Sequence, residues 1–415
     1  MSHDPPLVCL VTPGHLASTP RLVKEADALA DEGYRVHVVA GRHFGGAEAF
    51  DAEILARARW TCTRIQYRGP GAFLRKISGR LARRLVTRSS FATVSTAARA
   101  NHSQSMHLAA VAAKTGARLF IGHCIPGLAA AARAAKMTGS TYGFDAEDFH
   151  DAETMAVIND PAERASVRLL QSNLLAGCGH LTAASPLISR QYEESYAVRP
   201  RTLLNVFPLA LAPSVPVDPA EISESRPAVA YWFSQTIGPG RGLEEAVAVL
   251  ARMATPVELH LRGFPAEGFP EHLQELAGTA GLRRPIRFRE PGPPDEMARL
   301  AAGADLGLST EIRTPPNRNL CLTNKIFVYL LAGIPQLLSD TAAQSSLAPD
   351  LSEAALLGNL SDAGRVAGML DEFLGSPTRV AAARRKAWEL GHSRYCWDFE
   401  KSAFLESVRI AVPRG

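Results

Sequence analysis

Cysteine is scarce and scattered. The six cysteines (Cys9, Cys62, Cys124, Cys178, Cys321, Cys396) form no CxxC pair and no Cys/His cluster, which argues against a structural metal and a disulfide framework and suits a reducing cytoplasm. Long apolar runs are also missing: no window reaches the roughly 20 apolar residues that span a bilayer. The opening Met1-Ser2-His3-Asp4-Pro5-Pro6 has no basic region ahead of an apolar core, so neither export nor membrane insertion is expected. The chain carries no GxGxxG, no P-loop and no Asp-x-Asp pair at a strand end, and it shows no repeat or low-complexity tract. Acid is absent from one long interval. Between Glu53 and Asp145 no Asp or Glu occurs, whereas 15 Lys and Arg do, so the net charge of +4 hides a polarised distribution.

Within that interval Phe73, Ile77, Leu81 and Leu85 recur at helical spacing among Arg75, Lys76, Arg80, Arg83 and Arg84. Two readings stand. Such a helix rests on an anionic membrane surface through residues 73–86, or it packs its stripe on the domain core, a reading favoured by the weakening effect of Gly79. No nucleic-acid partner is expected, because the arginines are not interleaved with stacking aromatics.

The 415 residues, 46% of them hydrophobic, are enough for about two domains. Leu7–Val11, a helix with Leu22, Ala26 and Leu29, and Arg35–Ala40 form a strand-helix-strand crossover. Leu119–His123, Ser140–Asp145 and His180–Ser185 read as further strands. Prolines 208, 213, 216, 219 and 227 then mark a linker. Beyond it, strands at Ala228–Phe233, Val257–Arg262, Ala304–Ser309 and Gln336–Leu338 alternate with helices. The expected fold class is therefore α/β, with two Rossmann-like domains and an interdomain cleft: residues 1–205, a linker at 206–227, residues 228–394, and a C-terminal helix at 395–415 that packs back on the first domain.

Two loops of the second domain carry chemistry. Thr323-Asn324-Lys325 opens a nearly all-apolar helix stopped by Gly333-Ile334-Pro335, so a cation stands beside the free N–H groups of a helix start. Ser234-Gln235-Thr236-Ile237-Gly238-Pro239-Gly240-Arg241-Gly242 joins the first strand of that domain to its helix. Glycine lets backbone N–H groups approach phosphate oxygens, and Arg241 adds a bidentate donor. Together the loops put two cations at one sheet edge.

These segments resemble those of the GT-B-fold glycosyltransferases, in particular the retaining, nucleotide-sugar-dependent family 4. Thr19-Pro20-Arg21-Leu22-Val23-Lys24-Glu25-Ala26 with Gly33-Tyr34-Arg35-Val36 is similar to their first helix and second strand. Phe144-Asp145-Ala146-Glu147-Asp148 resembles their Asp-Ala-His-Glu segment. Thr182–Ile188 and Asn205-Val206-Phe207-Pro208 resemble the stretches before their linker. Arg241-Gly242-Leu243 and Asn324-Lys325-Ile326-Phe327 with Tyr329 resemble their donor loop and donor helix. The chain departs from the family at Leu320 and Val328, where glutamates are usual, at Gln235 in place of a basic residue, and at Glu147 in place of histidine.

The resemblance implies a cytoplasmic hexosyltransferase of polysaccharide or glycoconjugate biosynthesis, in contact with the inner face of the membrane if residues 73–86 anchor it. It would move a sugar from a nucleotide-diphosphate sugar to a glycan, lipid-linked or small-molecule hydroxyl, with retention and with no metal or other cofactor. Donor binding then falls to Ser234, Gln235, Gly238, Arg241, Gly242, Arg262, Thr323, Asn324 and Lys325. Catalytic roles fall to His123, Asp145 and Glu147, and the acceptor side to Gly14, His15 and Arg21. A sugar-nucleotide epimerase of similar fold and a non-catalytic sugar-nucleotide-binding protein remain as alternatives.

Overall fold

The structure, a computed structural model, describes residues 5–43, 45–88 and 92–412; residues 1–4, on which the export reading partly rests, lie outside these. The chain divides into two compact units, Met1–Leu203 with Lys401–Gly415, and Leu204–Glu400.

The first unit is built on a seven-stranded sheet: β1 (Leu7–Thr12), β2 (Arg35–Arg42), β3 (Thr61–Gln66), β4 (Leu119–His123), β5 (Thr141–Ala146), β6 (His180–Ala183) and β7 (Arg201–Thr202). Their order is β3-β2-β1-β4-β5-β6-β7, and every pair is parallel. Val8, Cys9, Leu10 and Val11 are all fully buried, as strands covered on both faces require. Strand order reverses at β1, which lies between β2 and β4, so the loops leaving β1 and β4 flank the topological switch point. The helix Cys124–Thr138 sits unusually close to this edge. A Cβ on Gly122 would lie 2.3 Å from the Gly127 backbone, and one on Gly127 would lie 2.7 Å from the Val11 carbonyl oxygen.

The second unit repeats the plan with six strands: β8 (Ala228–Ile237), β9 (Val257–Pro265), β10 (Arg287–Arg289), β11 (Leu306–Ser309), β12 (Gln336–Ser339) and β13 (Ala355–Gly358). They are ordered β10-β9-β8-β11-β12-β13 and are again all parallel. Trp232, Leu259, Leu261, Leu306, Leu308 and Leu337 form its core with Val247 and Leu250, each fully buried leucine contributing about 1.5–3 kcal/mol. Here β8 lies between β9 and β11, so the loops after β8 and β11 flank the switch point.

The last helix, Trp397–Ala411, crosses from the second unit into the first. There Ser407 Oγ lies 2.9 Å from His180 Nδ1, and Phe404 meets the same ring edge-on. No described helix is long and apolar enough to cross a membrane.

The helix Pro70–Val86 corrects the core-packing reading of its stripe. Its inward residues are Ala72, Gly79, Ala82 and Val86, whereas Phe73, Leu74, Ile77 and Leu81 are 62%, 66%, 47% and 56% exposed. The small residues permit close approach: a Cβ on Gly79 would lie 3.1 Å from the Arg99 carbonyl oxygen. Arg83, on the same inward side, pairs with Asp160 and, at 2.7 Å, with Glu163. Those ion pairs fix the rotation of the helix and turn the large apolar side chains outward.

Candidate functional site

In the second unit the register of β8 slips between Phe233 and Thr236, and Ser234 in that irregular stretch accepts a hydrogen bond from Arg241 Nη1 at 3.0 Å. Gly242 has φ +71°, and a Cβ there would lie 1.6 Å from the Thr310 carbonyl oxygen. Only glycine meets both demands. The loop after β8 is thereby held against the segment leaving β11, where Glu311 follows.

Glu311 is 2% exposed and is the focus of the cluster. Lys325 Nζ donates to it at 2.5 Å and Arg318 Nη1 at 2.7 Å, and Arg241 interacts electrostatically with both Glu311 and Arg318. Burial opposes the Glu311 carboxylate, but Lys325 and Arg318 outweigh it and hold its pKa below the ordinary value. Burial lowers the pKa of Lys325, with Glu311 opposing and Arg241 and Arg318 adding to the fall. Arg241 is lowered by burial and then by Arg318. Three cations thus surround one carboxylate and partly repel each other, a poise that an incoming anion relieves.

Lys325 also lies 5.3 Å from the Trp232 ring centroid. The helix it opens, Asn324–Ala332, has no side-chain cap, and the buried Oγ1 of Thr323 has no hydrogen-bond partner. Ile326 N–H already donates to the Thr323 carbonyl at 3.2 Å, which leaves the N–H groups of Asn324 and Lys325 as the candidate anion donors. A cavity of about 270 Å³ adjoins this edge, bounded by Glu311, Arg313, Ser339, Asp340 and Ser361. Of the expected donor residues, Ser234, Arg241, Gly242 and Lys325 are brought together. Gln235 is exposed and Gly238 buried in the same loop. Arg262 is engaged elsewhere, donating to Tyr231 Oη at 2.8 Å and to the Glu290 carbonyl at 2.5 Å.

The first unit holds a different cluster. Arg21 forks onto Asp145 through Nε and, at 2.8 Å, through Nη2, and donates through Nη1 to the Leu203 carbonyl at 2.7 Å. Thr182 Oγ1 donates to Asp145 at 2.6 Å. His123 Nε2 lies 3.1 Å from Glu25 Oε2 and its Nδ1 3.5 Å from Asp145 Oδ2. Arg21, Glu25, His123 and Asp145 are all 0% exposed. Burial opposes the Asp145 carboxylate, yet Arg21 and His123 bring its pKa down to about 2. Burial works against His123 as a cation, but Glu25 and then Asp145 raise its pKa overall. Glu147, just beyond β5, is partly buried, and burial with neighbouring Asp145 pushes it up to about 7.

Ligand atoms of Glu25, His123 and Asp145 lie within 4.8 Å of one another, a metal-like grouping. Arg21 already neutralises Asp145, however, so a divalent ion would have to displace a buried guanidinium. Of the expected acceptor residues, Arg21 is consumed by this network. His15 is 2% exposed; its Nδ1 lies 2.8 Å from Asp51 Oδ2 and its Nε2 accepts the His43 backbone N–H at 2.9 Å. Gly14 turns the loop beside it, its N–H donating to Thr12 Oγ1. Sequence reasoning missed Glu25, Thr182, Glu311 and Arg318. Glu25 had a signal, standing one helical turn after Arg21; Glu311, two residues past a strand end, had only its position.

Two parallel sheets of this order, each with its candidate loops at the switch point, give the chain the fold of the GT-B glycosyltransferases. No family model matches the chain, and no curated protein matches it by sequence. Among solved structures it is similar to Anabaena HepE in complex with UDP and glucose, with TM-score 0.71 and 15% identity over 97% of this chain and 99% of that one. Sucrose-phosphate synthase from Thermosynechococcus elongatus gives TM-score 0.71 and 14% identity over 97% and 98%. S. aureus TarM, solved as a point mutant with fondaparinux, α-GlcNAc-glycerol and UDP, gives 0.65 and 9% over 98% and 100%.

Proposed function

We propose that this protein is a glycosyltransferase that moves a sugar from a nucleotide-diphosphate sugar to a hydroxyl of a glycan, lipid-linked or small-molecule acceptor. The observation that carries the reading is the group Arg241, Arg318 and Lys325 around Glu311, beside the uncapped start of Asn324–Ala332. As the bond from the anomeric carbon to the diphosphate oxygen breaks, negative charge grows on the leaving group, and fixed cations with helix N–H groups stabilise that charge most in a dry site. The neutralising charge comes from side chains, so this step needs no metal. The structures of HepE with UDP support the same donor class.

We infer retention of configuration. The acceptor oxygen bonds to the anomeric carbon on the face the diphosphate leaves, and its proton passes to a departing phosphate oxygen. On the acceptor side Glu147 is the candidate that orients the acceptor hydroxyl by accepting a hydrogen bond from it before the proton passes to phosphate, since it alone of the three expected residues has surface open to solvent and a pKa near neutrality. His123 and Asp145 act as positioning residues behind it. The free cysteines suit a cytoplasmic setting.

Leu320 and Val328 favour a second reading, a sugar-nucleotide-binding protein without turnover, because Val328 is 1% exposed and offers nothing to a ribose. A panel of nucleotide sugars separates the two. Calorimetric binding with nucleotide release only when acceptor is present supports transfer, binding without release supports the second reading, and no binding removes both. In the active enzyme, Glu147→Gln should abolish an ionisation near pH 7 in the kcat/KM profile; an unchanged profile returns Glu147 to a structural role.

A further inference from the structure

The outward face of Pro70–Val86 has no part in the donor or acceptor chemistry. Phe73, Leu74, Ile77 and Leu81 stand out from it, from 47% to 66% exposed, and Lys76, Arg80, Arg84 and Arg88 are exposed beside them. At 100° per residue, positions 73, 77, 81 and 74 and the cations 80 and 84 occupy overlapping sectors opposite the inward residues Ala72, Gly79, Ala82 and Val86, and Arg88 follows two residues past the helix end. This inverts the usual surface helix, which hides its large apolar residues and shows its charges alone. Four large apolar side chains in two turns of one helix exceed the scattered exposure normal for a soluble surface.

The helix itself carries no acidic residue, and none occurs anywhere between Glu53 and Asp145. Asp160 and Glu163, contributed by the neighbouring helix, are taken up by Arg83. The same ion pairs fix the rotation of the helix, so the face is presented ready-made.

We propose that the helix Pro70–Val86 docks this protein reversibly on an anionic lipid bilayer. The four apolar side chains enter the boundary between headgroups and acyl chains, while Lys76, Arg80, Arg84 and Arg88 meet lipid phosphates. A bilayer fits better than a nucleic acid, since aliphatic side chains such as Leu74, Ile77 and Leu81 stack poorly on bases. It also fits better than a second copy of the chain, which would bring these cations face to face. The inference does not depend on transferase activity.

Sedimentation with vesicles of phosphatidylglycerol and phosphatidylcholine in about equal parts tests it. The protein should bind these, lose binding as salt rises, and bind pure phosphatidylcholine far more weakly. Arg80→Glu with Arg84→Glu should lower partitioning about 100-fold, and Leu74→Ser with Ile77→Ser and Leu81→Ser should do so comparably. The exposed control Arg365→Glu with Arg385→Glu, which changes net charge equally, should have little effect. Leu81→Trp should show a blue-shifted emission on vesicles, a readout that needs no destabilising change. Equal binding to both vesicle types, indifference to the charge reversals, or an equal loss in the control would overturn the proposal. So would an unshifted Leu81→Trp spectrum, or a dimer in analytical ultracentrifugation that the serine variants dissociate.

Discussion

Each unit keeps a group of buried charges at the carboxyl edge of its sheet, and the two groups are built on opposite principles. Around Asp145 the signs balance, Arg21 and His123 against Glu25 and Asp145, and every member is sealed from solvent. Around Glu311 the cations are in excess, and Arg241 and Arg318 keep part of their surface open. A balanced, closed network has nothing left for a ligand and serves as a fixed support. An unbalanced, partly open one has free energy to gain from an anion. Burial of charge by itself therefore does not mark a ligand site; the sign of the surplus does.

Breaking the balanced group should be the costlier change. Asp145→Ala removes the forked partner of the fully buried Arg21 and leaves it Glu25 at 3.6 Å and the Leu203 carbonyl, and the expected loss is about 3–5 kcal/mol of stability, read from urea unfolding. A loss below about 1 kcal/mol would mean that the network is less closed than its burial indicates.

Next comes pH. Glu147 is raised from 4.5 to about 7, so its contribution is fully present below about pH 4.5 and is lost as pH rises through about 7. Glu147→Gln should flatten that limb of the stability curve. Asp145 has the opposite sign: its pKa falls from 3.8 to about 2, so stability is lost as pH drops between those values. Unfolding midpoints measured from pH 3 to pH 8 should therefore peak on the acid side of neutrality.

The unbalanced group should respond less and in a different observable. Lys325→Ala leaves Glu311 with Arg318 and the longer-range attraction of Arg241 and should cost about 2–3 kcal/mol. Adding Glu311→Gln should restore most of that stability without restoring donor binding, a split that a double-mutant cycle would expose. Arg241→Ala is the mildest. Stability should stay within about 0.5 kcal/mol, while affinity for a nucleoside diphosphate weakens by about 1.5–3 kcal/mol. Unchanged affinity by calorimetry would remove Arg241 from the donor site.

Only part of this contrast was legible in the sequence. The buried strands Leu7–Val11 and Ala228–Phe233 were readable because a strand covered on both faces must be continuously apolar. Strands β3 and β10 were not, since Thr61–Gln66 and Arg287–Arg289 lie toward sheet edges and carry mixed polar residues. Arg241 and Lys325 were legible through glycine and helix-start chemistry. Their convergence on Glu311 depends on which loops the strand order makes neighbours, and no local pattern encodes that. The stripe at 73, 77, 81 and 85 was periodic enough to reveal a helix. Which way it faced was decided by Arg83 reaching Asp160 and Glu163, about 80 residues away.

The helix Trp397–Ala411 bears on how the protein is made. The first unit is closed only when Phe404 and Ser407 reach His180, yet residues 204–400 are synthesised in between. At translation rates of about 5–20 residues per second, the first sheet emerges about 10–40 s before its closing helix exists. During that time the Gly179-His180 seat stands open while the second unit, one continuous segment from Leu204 to Glu400, is being made. A ribosome stalled before codon 397 would leave that seat without Phe404 and Ser407.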